Sequence, residues 1–354
     1  MRLLRMSIAL LCATLTLSGV ANAESFIDRT YGNNLHLSMT EPLPQMAASA
    51  GICSLEPYMP SPELIRANYD VIDELHEPIE GAQPDCYIFT GNDFSIYTYE
   101  SGRFIYQRDD YLKYSYMLYS CVDSDGDFMP AEIVSDYSAL SFMTPKEAAE
   151  SVELALGNVM PEVTGDFDVE YSVYPMHSSD MQDKIERELS GLDQSELDFF
   201  RRKHGIYEGC ISDSDECYVV CALLSRDGIP MLHKDYSPAR DVIVAGTRIY
   251  ALVDAEGIIF IDAAGLYRIS AVQPMTEQQH SCDDVLQSMG AYLDKIVGFD
   301  PLEVNGVEVF YAPYPTGDGK YQLVQLVQLM RYPAPPNDYI EYMLVNASNG
   351  ELYF

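Results

Sequence analysis

Residues Tyr250-Ala251-Leu252-Val253-Asp254-Ala255-Glu256-Gly257 and Tyr342-Met343-Leu344-Val345-Asn346-Ala347-Ser348-Asn349-Gly350 follow one plan. Each is an apolar run that enters an Asp/Asn-Ala turn and leaves through glycine into a second short apolar run. Apolar runs broken by Asn, Asp and Gly read as strands joined by a tight turn. Asp254 and Asn346 read as turn-formers, so the repeat marks scaffold rather than chemistry. An internal repeat fixes architecture more firmly than local propensity does.

Each copy is preceded by a helix with a marked start. Thr144-Pro145-Lys146-Glu147 combines an N-cap, a proline at the first helical position and a capping-box Glu. Ala148, Val152, Ala155 and Leu156 then share a face, and Gly157 reads as the C-terminal cap. In the other copy Ser281-Cys282-Asp283-Asp284 resembles a capping box. Val285, Met289, Tyr292, Leu293 and Ile296 form the apolar stripe there, and Gly298 ends it. Strands are expected at 169–174 and 218–224 in one copy, and at 307–311 and 323–330 in the other. Val169-Glu170 matches Val307-Glu308 at nearly the same distance from the helix start. Two acidic helices, at about 180–189 and 193–203, interrupt the first copy.

The expected fold class is α+β, with antiparallel β-sheets each packed by a helix. Two helix-strand-strand-strand units follow a tyrosine-rich β region. In that region Ser61-Pro62-Glu63 opens a helix, and Ile65, Tyr69, Ile72 and Leu75 follow at helical spacing. From 86 to 119 the period becomes two, with turns at Gly91-Asn92-Asp93 and Ser101-Gly102, which predicts an antiparallel meander. Tyr97, Tyr99, Tyr106, Tyr111, Tyr114, Tyr116 and Tyr119 crowd it. Such aromatics can grip a peptide, although tyrosine also favours strands for its own sake. Whether this region is a third copy stays open. The expected division is a signal peptide at 1–23, an N-terminal region at 24–140, a first unit with its insertion at 141–275, and a second unit at 276–354.

The leader reading rests on basic Arg2 and Arg5, an apolar stretch at 8–17 and the small-x-small site Ala21-Asn22-Ala23. Cleavage near Ala23 predicts a secreted or cell-envelope exterior protein with no transmembrane segment in the mature chain. The chain carries 55 acidic against 21 basic residues, a formal net charge of −34. That charge excludes nucleic acid as a partner, since binding there requires Lys and Arg to displace counterions. Disorder is excluded by a hydrophobic fraction of 47%.

Asp123-Ser124-Asp125-Gly126-Asp127 is the most metal-like motif, and Asp213, Asp215 and Glu216 form a second, weaker acidic turn. Alternating Asp123, Asp125 and Asp127 match the start of a Ca²⁺ loop, but Phe128 and Val134 stand where an EF-hand requires Gly and Glu. A solvated hairpin turn between strands around Tyr116 and Ile133 is the simpler reading. Cys210 and Cys217 flank a polar turn and are candidates for a hairpin disulfide. No CxxC pair supports a zinc site. There is no GxSxG, SxxK or HExxH motif and no phosphate-binding glycine loop. No catalytic or cofactor-binding residue is assigned. A carboxylate-based secreted hydrolase is the alternative that so acidic a chain keeps open.

On the residues quoted, Val345-Asn346-Ala347-Ser348-Asn349-Gly350 above all, residues 140–354 resemble the PepSY-type module, one helix on a short antiparallel sheet. Together with Gly228-Ile229-Pro230, they also resemble secreted and lipoprotein-like envelope proteins of gut Firmicutes. More remotely they are similar to extracytoplasmic regulators of cell-wall sensor kinases. The resemblance implies a non-enzymatic binding or regulatory module acting on a peptide or cell-envelope protein, and it carries no catalytic residues. This chain lacks a lipobox, because Cys12 follows Leu10-Leu11.

Overall fold

The computed structural model describes residues 26–47, 52–77, 86–123, 126–239, 242–273, 281–295, 301–317, 319–331, 341–347, 350, 352 and 353. The expected leader at 1–23 lies outside them, as do Asp125, Ile296 and Gly298.

In chain order, β1 (Ile27–Tyr31), β2 (Leu35–Met39) and β3 (Ile52–Pro57) lead into α1 (Pro62–Asn68). A meander follows, made of β4 (Asp73–Glu77), β5 (Cys86–Thr90), β6 (Phe94–Tyr99) and β7 (Arg103–Arg108). Next come α2 (Leu112–Tyr119), α3 (Pro145–Val159), α4 (Pro161–Asp166), β8 (Asp168–Met176), α5 (Ser178–Leu189) and α6 (Gln194–His204). Strands β9 (Cys217–Arg226), β10 (Ile229–Pro230), β11 (Tyr236–Ala239), β12 (Val242–Val244), β13 (Arg248–Asp254), β14 (Gly257–Ala264) and β15 (Tyr267–Gln273) precede α7 (Cys282–Leu293). The chain closes with β16 (Leu302–Val304), β17 (Gly306–Gly317), β18 (Lys320–Arg331), β19 (Glu341–Asn346) and β20 (Leu352–Tyr353). The fold is mixed α+β with mostly antiparallel sheets, and β16 pairs in parallel with β2.

The two helix starts form as their residues dictate. Thr144 accepts from the Glu147 N–H while the Glu147 side chain accepts from Thr144, and Ser281 and Asp284 make the same reciprocal pair. These contacts satisfy backbone donors that a helix start would otherwise leave bare. After α3 the strands run β8-β9-β13-β14 side by side, and after α7 they run β17-β18-β19-β20. Helix α3 does not stop at Gly157; it continues to Val159 and is capped at Met160. On α7, Val285, Met289 and Leu293 are buried as expected, whereas Tyr292 is exposed and Gly290 packs directly on β1. A Cβ at Gly290 would stand 2.3 Å from the Tyr31 carbonyl oxygen, so the close approach requires glycine.

The N-terminal region also places a short capped helix ahead of a meander. Ser61 caps α1 with Pro62 behind it, and β4-β5-β6-β7 lie in meander order. Gly102, Gly257 and Gly350 end the corresponding turns, all with positive φ (82°, 122° and 71°). The last strands of two meanders meet, with Phe260, Ile261, Asp262 and Ala263 of β14 opposite Gln107, Tyr106, Ile105 and Phe104 of β7. One nine-stranded sheet results, and it runs across residue 140. Two expectations fail here. Helix α1 ends at Asn68, which leaves Ile72 and Leu75 largely exposed on and beside β4. The meander ends at β7, so Tyr114, Tyr116 and Tyr119 lie on helix α2 instead of a strand.

Strand β13 is buried on both faces. Ile249, Ala251 and Val253 join the main core, while Tyr250 and Leu252 join a second one. The main core includes the buried faces of α3 and α7. The second lies under α2 and the inserted α5, which explains why that insertion keeps Met181 and Ile185 buried. Helix α6 buries no residue at all.

Candidate binding groove at the seam

Along the seam where β7 meets β14, an ion pair sits near each end of β7. The guanidinium of Arg103 donates to both oxygens of Asp262, at 3.0 and 2.9 Å, and the Tyr119 hydroxyl donates to the same carboxylate. Its hydrogen bond to Asp262 raises the Arg103 pKa further. At the other end Arg108 donates to Asp110 at 2.7 and 3.0 Å and to Asp254, with Glu256 at 3.7 Å. The bond to Asp110 is the main reason the Arg108 pKa rises, and it holds the Asp110 carboxyl below the usual range. Asp254 is the residue of the opening motif. It forms the turn as expected, accepting from the N–H groups of Glu256 and Gly257 at 2.9 and 3.1 Å. It also binds the N-terminal meander, which its reading as a plain turn-former missed. The corresponding Asn346 is also buried but carries no charge.

Beside Arg108 lies a groove of about 400 Å³. Its existence follows from helix length. Helix α1 has 7 residues and α3 has 15, so at about 1.5 Å per residue α1 covers under half the span. The groove begins where α1 stops. Asn68 closes that end, donating to the carbonyls of Leu64 and of Asn158 on α3 at 2.9 and 3.1 Å. Ser151, Leu154 and Ala155 of α3 line one side, and Tyr69, Tyr106 and Ile258 line the rest, with Asp93, Arg108 and Glu256 around them. Tyr69 stacks on Tyr106 with ring centroids 5.6 Å apart, and Phe94 lies 5.7 Å from each of them. Burial raises the phenol pKa of both tyrosines, so both stay protonated donors. Leu154 is 68% exposed. The groove therefore offers aromatic faces, an exposed leucine and one guanidinium among carboxylates.

A second cavity, of about 520 Å³, lies against α5 and the loop from Ala131 to Ser135. It is lined by Glu132, Asp180, Asp183 and Glu186 with Arg187. Asp180 turns its carboxylate to the Ser135 hydroxyl and N–H.

The acidic motif closes on itself. The Asp123 carboxylate accepts from the Asp127 N–H at 2.9 Å, and Val122 pairs with Phe128 across the turn. Burial opposes charge on Asp127, yet His233, 2.8 Å away, helps to hold its carboxyl below the usual range. Asp125, the third candidate ligand, lies outside the described residues. Among the described residues no group of three or more His, Cys, Asp or Glu is placed to hold a metal.

Cys210 and Cys217 are both free. Polar contacts hold the turn between them: Asp215 accepts from the Ser212 N–H, Lys113 and Tyr114 at 2.7, 2.7 and 3.0 Å. Burial pushes the thiols of Cys53, Cys121, Cys217, Cys221 and Cys282 up, those of Cys221 and Cys282 to about 12. A thiolate nucleophile requires the opposite shift.

No protein-family model and no curated protein matches the chain. The crystal structure of an uncharacterized protein from Eubacterium rectale ATCC 33656 is similar in fold. The likeness covers 93% of each chain with a TM-score of 0.52 at 16% identity. At that identity the likeness concerns the fold alone.

Proposed function

We propose that this protein is a secreted, non-enzymatic binding or regulatory module whose seam groove holds a peptide segment of a cell-envelope partner. Its two longer helix-and-meander units are read as PepSY-like, and the N-terminal meander is a third, shortened member. The groove carries the reading. It combines stacked tyrosines, an exposed leucine and a guanidinium fixed by two carboxylates, which suits a short polypeptide with mixed side chains. Arg108 is already neutralised, so it orients a ligand through its remaining donor capacity more than by net charge.

The secretion reading is supported by the leader sequence and by the absence, among the described residues, of a helix long and apolar enough to cross a membrane. A hydrolase would need a general acid held protonated near neutral pH. Glu308 is a carboxyl whose pKa burial raises, and it lines neither cavity described above.

A peptide library screened against the pure protein tests this. The expected result is a peptide that binds and is recovered intact, with affinity about tenfold lower for Leu154→Glu. Turnover of any recovered peptide, or equal binding by Leu154→Glu, would reject the proposal.

A further inference from the structure

Cations in this acidic chain are mostly neutralised by carboxylates. Arg29, Arg66, Arg103, Arg108, Lys113, Lys146, Lys184, Arg248 and Arg268 each lie within 4.0 Å of one. Among the described residues Arg187, Lys295 and Lys320 depart from that pattern singly, whereas the end of α6 departs from it with three cations in succession. Arg201, Arg202 and Lys203 are consecutive and exposed, and among the described residues none of them has a carboxylate within ion-pair distance. Two of them rest on aromatic rings instead. The Arg201 guanidinium lies 5.0 Å from the Tyr207 ring centre and the Lys203 ammonium 5.2 Å from that of Phe199. Both rings are large exposed apolar groups, at 45% and 47%. The His204 ring lies tilted against Tyr116, and burial and Lys203 lower its pKa below the ordinary 6.5.

Bases in a last helical turn complement the helix dipole. That accounts for their presence, but it does not explain why 55 acidic residues leave these three unpaired or why bulky aromatics stand exposed beside them. Cations spread on aromatic faces keep their donors outward and lose little side-chain freedom when a carboxylate arrives. We propose that the C-terminal end of α6, with Phe199 and Tyr207, is a docking surface for an acidic peptide segment of a partner protein. An anionic bilayer fits less well, because a net charge of −34 repels an extended negative surface whereas a short acidic segment meets only the local cations. This surface is separate from the seam groove and does not depend on the reading of that groove.

The test uses the full chain and a fluorescein-labelled hexaglutamate peptide carrying one tyrosine, followed by anisotropy. Binding is expected at about 50 mM salt and is expected to weaken strongly by about 300 mM. Arg201→Gln, Arg202→Gln and Lys203→Gln together should reduce affinity at least about tenfold. The charge-keeping variant R201K/R202K/K203R should retain binding, as should Leu154→Glu in the groove. No binding by the wild-type chain would overturn the proposal. So would equal binding by the triple glutamine variant, which would leave the bases as helix caps alone. Sedimentation with phosphatidylglycerol vesicles in the absence of peptide binding would overturn it in favour of a lipid surface.

Discussion

Two meanders meet along one seam, yet one is covered by a helix of 15 residues and the other by a helix of 7. Helix α3 buries Ala148, Val152, Leu156 and Val159, whereas α1 buries Ile65 alone. At roughly 1.5–3 kcal/mol for each large buried side chain, the two helices contribute very differently to stability. The sheets beneath them are alike in antiparallel pairing, apart from one irregularity at Leu252/Val253 between β13 and β14. The difference lies in the helices: α1 is less than half as long as α3. The space left by the shortened helix is the groove.

The largest expected effect probes this contrast directly. Leu156→Ala, at a fully buried site on α3, should cost about 3–5 kcal/mol in urea unfolding, while Ile65→Ala should cost about 2 because the short α1 can settle into the gap. Equal losses would break the comparison. Asp254→Ala should cost about 2–4 kcal/mol, since it strips Arg108 of a partner and leaves two turn N–H groups without an acceptor. Asp254→Asn, which imitates the Asn346 copy, should recover part of that loss. A full recovery would mean that the charge across the seam contributes nothing. Thr144→Ala should cost about 1 kcal/mol, and Ser61→Ala on the shorter helix about half of that.

The smallest effect concerns pH. His36 on β2 lies between Asp28 on β1 at 2.7 Å and Glu303 on β16 at 2.6 Å. Both ring nitrogens face carboxylates, so the arrangement suits the imidazolium. These bonds, Asp28 first and then Glu303, raise its pKa above the ordinary 6.5. A raised folded-state pKa gives stability that is fully present below about pH 6.5 and is lost as pH climbs through the raised value. Amide protection of Leu35 and Leu37, corrected for intrinsic exchange, should therefore fall as pH rises above about 6.5, and the fall should vanish in His36→Gln. An unchanged protection profile would remove the histidine from the account.

The repeat was readable because its signals are local. Capping residues sit three positions from their partners at Thr144 and Ser281, and Asp-Ala or Asn-Ala turns punctuate apolar runs. Where the reading failed, two local patterns competed. Ile72 and Leu75 continue the helical spacing of Ile65 and Tyr69, but pairing of β4 with β5 outweighs it. Tyr114, Met117 and Leu118 are spaced as a helix face and are buried as one, a signal lost among strand-favouring tyrosines. Gly157 lies within a helix whose apolar stripe continues to Val159. The groove could not be read in this way, because Arg108 and Asp254 are 146 residues apart and meet only through the β7–β14 pairing. Ser61-Pro62 and Gly102, matched against Thr144-Pro145 and Gly257, were the available hint of a third copy.

The gap left by the short α1 is the proposed peptide site. Chemical-shift mapping with the tightest peptide from the library tests it most directly. Shifts concentrated at Asn68, Tyr69, Tyr106, Ser151 and Leu154 are the predicted result. Shifts at Glu132, Asp183 and Glu186 in the second cavity, with the groove silent, would contradict it.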